Sequence, residues 1–211
     1  MTIEMIRASH PGHHQQVAVL HAAGITEGFL STLGTPFLSR LYMGIDRATS
    51  SRLILAGDGD EVLGFISFAE DVGSCYREVL RRDWFRLGLA LLPSLLKPGV
   101  YRKIFDTLRY PSKSGHTESG HTTEKASGNR PELLSMAVSE KARGRGIGKL
   151  LVAALEEEFT RAGVTGYFVV TYAVDTRSNG FYSGRGFKKV GSFSSHRKAM
   201  NEYFKEIESG V

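Results

Sequence analysis

A glycine-rich segment in the C-terminal half joins an apolar run to a helical pattern. The apolar run is Leu133–Val138, and the segment Arg143–Lys149 carries glycines at alternate positions just before a helical periodicity begins near Ile147. Glycine lets the backbone adopt positive φ and approach a ligand closely. The first N–H groups of a helix have no partner inside it and attract anions, and two arginines and a lysine add positive charge. We predict a phosphate or pyrophosphate cradle at this turn.

The composition narrows the class of protein. The 211 residues fit one domain with an insertion, and a net charge of +5 suits an anionic ligand. No basic run is interleaved with aromatic residues, so we expect no nucleic-acid partner. Cys75 is the only cysteine, which excludes an internal disulfide and a cysteine-rich zinc site. Met1–Arg7 lacks a secretory apolar region, and no apolar segment is long enough for a membrane span, so a cytoplasmic location is expected.

Hydrophobic periodicity predicts alternating strands and helices. In the N-terminal part we predict a strand at Thr2–Arg7, a helix from Pro11 to about Ile25, a second helix from Pro36, and a hairpin around Gly57–Asp60. The C-terminal part predicts these elements: a strand at Glu132–Val138, a helix from Gly146 to about Ala162 with Leu150 on its buried side, a buried strand at Thr165–Val174, a short helix at Ser178–Arg185 and a strand at Phe187–Phe193.

The middle of the chain has a different character. Tyr76–Tyr110 has a helical pattern that Pro93 and Pro98 should break or kink, and its apolar side is predicted to include Val79, Leu80, Trp84 and Leu87. Ser112–Arg130 is polar and predicted to be mobile. We interpret this basic amphipathic insertion as a helical cap on the core or on a second subunit of a homodimer. The alternative is a lid that recognises an anionic or amphipathic acceptor, including one near a membrane surface.

Two motifs resemble those of the GCN5-related N-acetyltransferases. In this family a strand is followed by Gln/Arg-x-x-Gly-x-Gly/Ala, and Arg143, Gly146 and Gly148 match that pattern. Phe181-Tyr182, followed by Gly186-Phe187, is similar to the family's C-terminal element. The resemblance implies a single α/β domain over residues 1–211. Its mixed, mostly antiparallel central sheet is flanked by helices, and residues 72–130 are inserted between the third and fourth strands.

The resemblance also implies acetyl-CoA as co-substrate, no metal, and an amine acceptor that is a small molecule or a peptide. Tyr182 is the expected acid for the departing thiolate, and Glu132 is a candidate base for the amine. Strand alternation predicts that Glu132, Leu134, Met136 and Val138 lie on one face. Glu27 and Glu70 are weaker candidates that border the acceptor. The expected contacts with acetyl-CoA come from Met136, Ala137, Val138, Arg143, Gly144, Arg145, Gly146, Ile147, Gly148, Lys149 and either Asp175 or Asn179, with the Val138 N–H polarising the thioester carbonyl.

Two other classes of protein are alternatives to an acetyltransferase: a non-catalytic binding module and a P-loop enzyme. A non-catalytic module that binds acetyl-CoA would have the same fold, and Tyr182 and Glu132 argue against it. A P-loop enzyme would need Ser or Thr after the lysine, whereas Leu150 follows Lys149. The histidines near the first helix lack a carboxylate or cysteine that would complete a metal site.

Overall fold

The computed structural model describes residues 3–7, 10–26, 28–95, 130–195 and 198–207. The predicted mobile stretch 112–129 and residues 96–110 of the predicted middle helix lie outside these ranges. The helices are α1 (Pro11–Gly24), α2 (Thr35–Arg47), α3 (Val72–Leu95), α4 (Ile147–Arg161) and α5 (Thr176–Ser183). The strands are β1 (Glu4–Ile6), β2 (Ser51–Asp58), β3 (Glu61–Ala69), β4 (Glu132–Val138), β5 (Gly166–Tyr172), β6 (Lys188–Ser195) and β7 (Lys198–Glu206).

The seven strands form one sheet in the order β1-β2-β3-β4-β5-β7-β6. Every neighbouring pair is antiparallel except β4 and β5, which are parallel. The predicted mixed, mostly antiparallel sheet with flanking helices is therefore confirmed. Strand β7 was not predicted. It forms a hairpin with β6 and lies between β6 and β5 in the sheet.

Two apolar layers sandwich the sheet. On one side α1, α2 and α3 cover the sheet through Val17, Leu38 and Val79. On the other side α4 and α5 pack against it through residues that include Leu151 and Tyr182. Burial of these apolar side chains is the main favourable contribution to the stability of the fold. No helix in the part of the chain that the structure describes has the length and apolar content to cross a bilayer.

Helix α3 begins at Val72 rather than at the predicted Tyr76, because the Asp71 carboxylate accepts hydrogen bonds from the Gly73 N–H at 2.9 Å and the Ser74 hydroxyl at 2.7 Å. The described part of the helix includes Pro93 and reaches Leu95. The predicted continuation to Tyr110 lies outside the described residues.

The buried stripe of α3 also differs from the prediction. Leu80 and Trp84 are 57% and 68% exposed, although both were predicted on the buried side. The buried residues recur at every fourth position and are Cys75, Val79, Asp83 and Leu87.

Two C-terminal elements also depart from the predicted pattern of burial. Leu150, predicted on the buried side of α4, is 45% exposed, and Val152 is buried in its place. Strand β5 is not buried on both faces, because buried and half-buried residues alternate along it. Within the described sheet, strands β4 and β5 pair at only two positions, which leaves this part of the sheet open to ligands.

Candidate functional site

A V-shaped gap opens between β4 and β5. These parallel strands pair only at Glu132–Phe168 and Leu133–Val169, so in the described part of the sheet they separate beyond Leu133. The Ser139 N–H donates to the Leu63 carbonyl of β3 at 2.8 Å. Since successive N–H groups of a strand point to opposite edges, those of Met136 and Val138 face the gap. The gap therefore presents unused backbone donors.

A β-bulge at Leu134 changes which side chains share a face of β4. Ser135 pairs with Ser67 and Leu133 pairs with Phe68, which leaves Leu134 as the extra residue. Leu134 packs in the layer of α1, α2 and α3, whereas Met136 and Val138 pack in the layer of α4. The prediction that Glu132, Leu134, Met136 and Val138 lie on one face is therefore wrong. Glu132 lies on the opposite face from Met136 and Val138, because Leu133 next to it packs in the α4 layer.

The glycine turn leads directly from β4 into α4. Gly144 and Gly146 both have φ of 77°, and a Cβ at either position would meet no atom within 4 Å. These glycines are therefore required by the backbone conformation rather than by crowding. The N–H groups of Ile147 and Gly148 begin α4, so they have no acceptor within that helix. Open space, positive φ and free helical donors together fit an anionic group such as a pyrophosphate.

The start of α5 is fixed by side-chain hydrogen bonds. The Asp175 carboxylate caps the helix and accepts from the Ser178 N–H at 3.0 Å and the Ser178 hydroxyl at 2.6 Å. Burial works against ionisation of Asp175, but the bonds from Ser178 outweigh it and lower the pKa of this carboxyl below its ordinary value. Asp175 therefore holds the first turn of α5 in place.

Asn179 connects α5 to two strands. Its Oδ1 accepts hydrogen bonds from Thr171 of β5 at 2.9 Å and from Asn201 and Tyr203 of β7 at 2.9 and 2.7 Å. Its Nδ2 donates to the backbone carbonyls of Tyr172 and Asp175 at 2.8 and 2.6 Å. Both atoms of the amide are thus engaged within the protein, and α5 is held at a defined distance from the sheet.

Tyr182 lies in the α4 layer of the core. It is 5% exposed, and its ring makes edge contacts with Phe181 and Phe187 at centroid distances of 5.3 and 5.1 Å. Burial, with a contribution from the Asp175 carboxylate, raises the pKa of the Tyr182 phenol. A phenol in this environment keeps its proton at neutral pH and can donate it.

Glu132 lies at the closed end of the gap in a chain of charged groups. The Arg130 guanidinium donates from Nε to Glu132 at 3.2 Å and from Nη2 to Glu202 of β7 at 2.5 Å. The side chain of Glu132 is 19% exposed, and burial raises the pKa of its carboxyl although Arg130 opposes the shift. Glu70 directly follows Ala69, which pairs with Glu132, so both carboxylates belong to the same end of the sheet. Glu27 lies outside the described residues.

Four residues around β4 were not among the predicted site residues: Arg130, His21, Tyr42 and Ser135. They connect this strand to β7 and to helices α1 and α2. Arg130 was assigned to the polar mobile stretch, although its position directly before Pro131 and Glu132 marks the start of β4. In the layer of α1, α2 and α3, His21 Nδ1 and the Tyr42 hydroxyl are 2.5 Å apart, and Ser135 of β4 is hydrogen-bonded to Tyr42. A single sequence gives no signal for such a contact, because the three residues come from distant segments.

A surface groove of about 410 Å³ lies between α1 and the β2–β3 turn. It is lined by residues such as Gln15, Val19 and Glu61, and neither Tyr182 nor Glu132 borders it. Within the described ranges, no three or more His, Cys, Asp or Glu side chains are arranged to hold a metal ion.

The sheet order, the single parallel pair and the gap beside a glycine turn define an acyl-CoA N-acyltransferase fold. The sequence model of the Acetyltransferase (GNAT) family matches residues 110–187. This match spans residues 110–187 of the 211, and over that range the chain resembles the GCN5-related N-acetyltransferases, a superfamily of acetyltransferases whose co-substrate is acetyl-CoA. A search of curated proteins finds no match.

Solved structures share this fold over nearly the whole chain. A GNAT-family acetyltransferase from Staphylococcus aureus Mu50 is 13% identical, with a TM-score of 0.58 and coverage of 98% of this chain and 100% of the other. An aminoglycoside 6'-N-acetyltransferase complexed with coenzyme A is 16% identical, with a TM-score of 0.59 and coverages of 98% and 97%. The ribosomal-protein-S18-alanine N-acetyltransferase from Escherichia coli is 9% identical, with a TM-score of 0.56 and coverages of 100% and 97%. At these identities the likeness establishes the fold.

Proposed function

We propose that this protein transfers the acetyl group of acetyl-CoA to a primary amine, directly and within a ternary complex. The observation that carries the proposal is the gap between β4 and β5. Its edge presents the N–H groups of Met136 and Val138, its mouth opens at the glycine turn, and Tyr182 is buried in the layer of α4 that packs on this face of the sheet.

The proposed contacts with acetyl-CoA follow from this arrangement. The turn Arg143–Lys149 would hold the pyrophosphate through its backbone N–H groups and positive side chains. The backbone of Met136–Val138 would lie along the pantetheine as an added strand does, with the Val138 N–H donating to the thioester oxygen. Bound acetyl-CoA supplies an activated carbonyl carbon for the amine. A donor fixed in a strand is already oriented toward the oxygen, so it stabilises the developing negative charge with little reorganisation.

Tyr182 is the proposed acid. The thiolate of departing coenzyme A needs a proton, and a thiol has a pKa of about 8.5. A phenol whose pKa is raised by burial is protonated throughout the neutral range, so Tyr182 holds a proton for the thiolate, although the same shift makes it a weaker acid than a phenol in water. The aromatic contacts with Phe181 and Phe187 fix the direction of its ring.

Glu132 is the proposed base, acting on the acceptor amine from the face of β4 opposite Met136 and Val138. A lysine-like amine has a pKa of about 10 and must lose a proton before it attacks. The raised pKa of the Glu132 carboxyl makes it a better proton acceptor than an ordinary glutamate. Glu27 and Glu70 remain weaker candidates on the acceptor side. Acetylation of a cationic amine is consistent with carboxylates at this end of the sheet.

Asp175 and Asn179 are proposed as positioning residues for α5, which carries Tyr182. All of the hydrogen bonds of the Asn179 amide are made inside the protein, which supports a structural contribution to the site. Contact of either residue with the pantetheine arm stays a prediction.

The direct test measures thiol release from acetyl-CoA across a panel of amines that includes an aminoglycoside and a peptide with a free N-terminal alanine. These two amines are chosen because the similar proteins include an aminoglycoside 6'-N-acetyltransferase and a ribosomal-protein-S18-alanine N-acetyltransferase. Both amines are proposed acceptors for this chain. We expect thiol release with at least one amine and a product that carries an acetylated nitrogen. Tight acetyl-CoA binding without release on any amine would instead favour a non-catalytic binding module.

A further inference from the structure

The outer side of α3 exposes a group of large apolar residues. The exposed fractions of Leu80, Trp84, Phe85 and Leu89 are 57%, 68%, 65% and 58%. Trp84 and Phe85 lie on the side of the helix away from its buried stripe, and Leu80 and Leu89 lie at the two edges of this exposed side, with Leu80 next to the buried Leu87. Single exposed apolar residues are common, but four within three helical turns are typical of an interaction surface.

Positive charge accompanies this apolar group. Arg77 and Arg81 are exposed and fall on the same side of the helix as Trp84 and Phe85. The two acidic residues of α3 are engaged within the protein, although Glu78 falls on the same side of the helix as Phe85. Glu78 accepts hydrogen bonds from the backbone N–H and hydroxyl of Thr49 at 2.9 and 3.0 Å, and Asp83 is 8% exposed and bound by Arg86. The outer side of α3 therefore combines apolar and cationic groups without a competing exposed carboxylate of its own.

We propose that this surface, formed by Arg77, Leu80, Arg81, Trp84, Phe85 and Leu89, docks onto an anionic membrane surface with α3 lying in the plane of the interface. The surface spans about 18 Å along the helix, at about 1.5 Å per residue. Aromatic rings favour the boundary between headgroups and acyl chains, and arginines bind lipid phosphates. The proposal does not depend on the acetyl-transfer reaction.

A second copy of the chain fits this surface less well. In a two-fold symmetric dimer the same patch is present on both subunits, so Arg77 and Arg81 of both subunits would be brought into one interface. Like charges at an interface are unfavourable, and α3 has no exposed carboxylate to balance them. An anionic surface removes that repulsion.

Trp84 provides the reporter, because it is the only tryptophan in the chain. The experiment records its fluorescence for the full-length protein with phosphatidylcholine vesicles and with equimolar phosphatidylcholine–phosphatidylglycerol vesicles at low salt. We expect water-exposed emission without vesicles, and a blue shift with protection from acrylamide only with the anionic vesicles. Co-sedimentation with the same vesicles gives an independent measure of binding.

Surface variants test the two components separately. Arg81→Glu should weaken partitioning onto anionic vesicles by at least about fivefold, since each arginine near such a surface contributes about that factor of affinity and the new carboxylate is repelled. Phe85→Ser should lower it by a similar factor. Lys189→Glu and Val190→Ser, both exposed on β6, are the matched controls and should bind like the unmodified protein. Thermal unfolding confirms that all four variants fold.

Several results would overturn the proposal. Blue-shifted, quencher-protected emission in the free protein would indicate that the chain itself covers the surface, and equal binding to phosphatidylcholine alone would indicate purely apolar adsorption. A blue shift that depends only on protein concentration would indicate self-association, and an equal shift with soluble polyglutamate would indicate an acidic protein partner. Absence of any shift would overturn it as well.

Discussion

Gly148 and Phe181 meet where α4 begins. A Cβ at Gly148 would lie 3.3 Å from Cε2 and 3.4 Å from Cζ of the Phe181 ring. Helix α5, which carries Tyr182, therefore rests directly on the first turn of α4. The proposed pyrophosphate cradle and the proposed acid are thus linked through one side chain. A change at Gly148 should therefore be felt at Tyr182.

Gly148→Val tests this link. The added methyl groups would press on Phe181, and overpacking of this kind costs about 1–3 kcal/mol of unfolding free energy. Chemical denaturation should show that loss, and turnover should fall with it. Adding Phe181→Leu should recover part of both. Gly180→Ala is the control, since a Cβ there meets no atom within 4 Å and alanine favours the helix. A Gly148→Val enzyme with unchanged turnover would disprove the coupling.

The positive φ of Gly146 gives a second prediction. With no atom within 4 Å of a Cβ, Gly146→Ala is unfavourable only through the backbone, which costs about 1–2 kcal/mol for an L-residue in this conformation. We expect that loss of stability together with weaker binding of coenzyme A, measured by calorimetry. Gly146→Asn should lose less of both, because asparagine tolerates left-handed φ better than alanine does. Equal losses in the two variants would point away from backbone strain.

The glycine turn shows what a single sequence encodes well. Apolar periodicity and glycine spacing are local, and they predicted β4, the turn and α4 in their correct order. The bulge at Leu134 and the insertion of β7 between β5 and β6 were not predictable in this way, because they depend on pairing between distant strands. The consequence was an incorrect face for Glu132. Likewise, the ion pair of Arg130 with Glu202 exists only once β4 and β7 have been brought together by β5.

Tyr182→Phe should separate acid catalysis from binding. The substitution removes the hydroxyl and keeps the ring that packs between Phe181 and Phe187, so the fold and coenzyme A affinity should be retained. Without a proton donor for the thiolate, kcat should fall by more than about tenfold. Thiol-release kinetics and calorimetry measure the two quantities. If kcat is unchanged, Tyr182 is not the acid.

Glu132→Gln should alter the pH dependence of kcat/KM. The base must be ionised, and burial raises the pKa of Glu132, so the acidic limb of the wild-type profile should lie above the ordinary carboxyl value of 4.5. Glutamine cannot accept the proton, so the variant should lose this limb and most of its activity. Glu202→Gln is a matched variant that frees Arg130 for Glu132 and should move the limb to lower pH. An acidic limb that keeps its position in Glu132→Gln would identify another base.

His21 should make the stability of the fold sensitive to acid. Burial lowers its pKa from 6.5 to about 4. The raised pKa of Tyr42 keeps the phenol protonated, so it donates to His21 Nδ1, and the remaining imidazole proton is on Nε2, which is buried without a hydrogen-bond partner in the described structure. The unfolded chain takes up a proton near pH 6.5, whereas the folded protein does not until about pH 4.

Stability should therefore be complete above about pH 6.5 and fall as the pH decreases toward 4, by about 3 kcal/mol from this group at about 1.4 kcal/mol per pH unit. Denaturant unfolding at a series of pH values measures the slope. His21→Gln should be less stable at neutral pH, because the bond with Tyr42 is disturbed, but should lose less on acidification. His10→Gln, at an exposed position, should keep the wild-type slope. Equal slopes in the wild type and His21→Gln would show that another group controls the acid sensitivity.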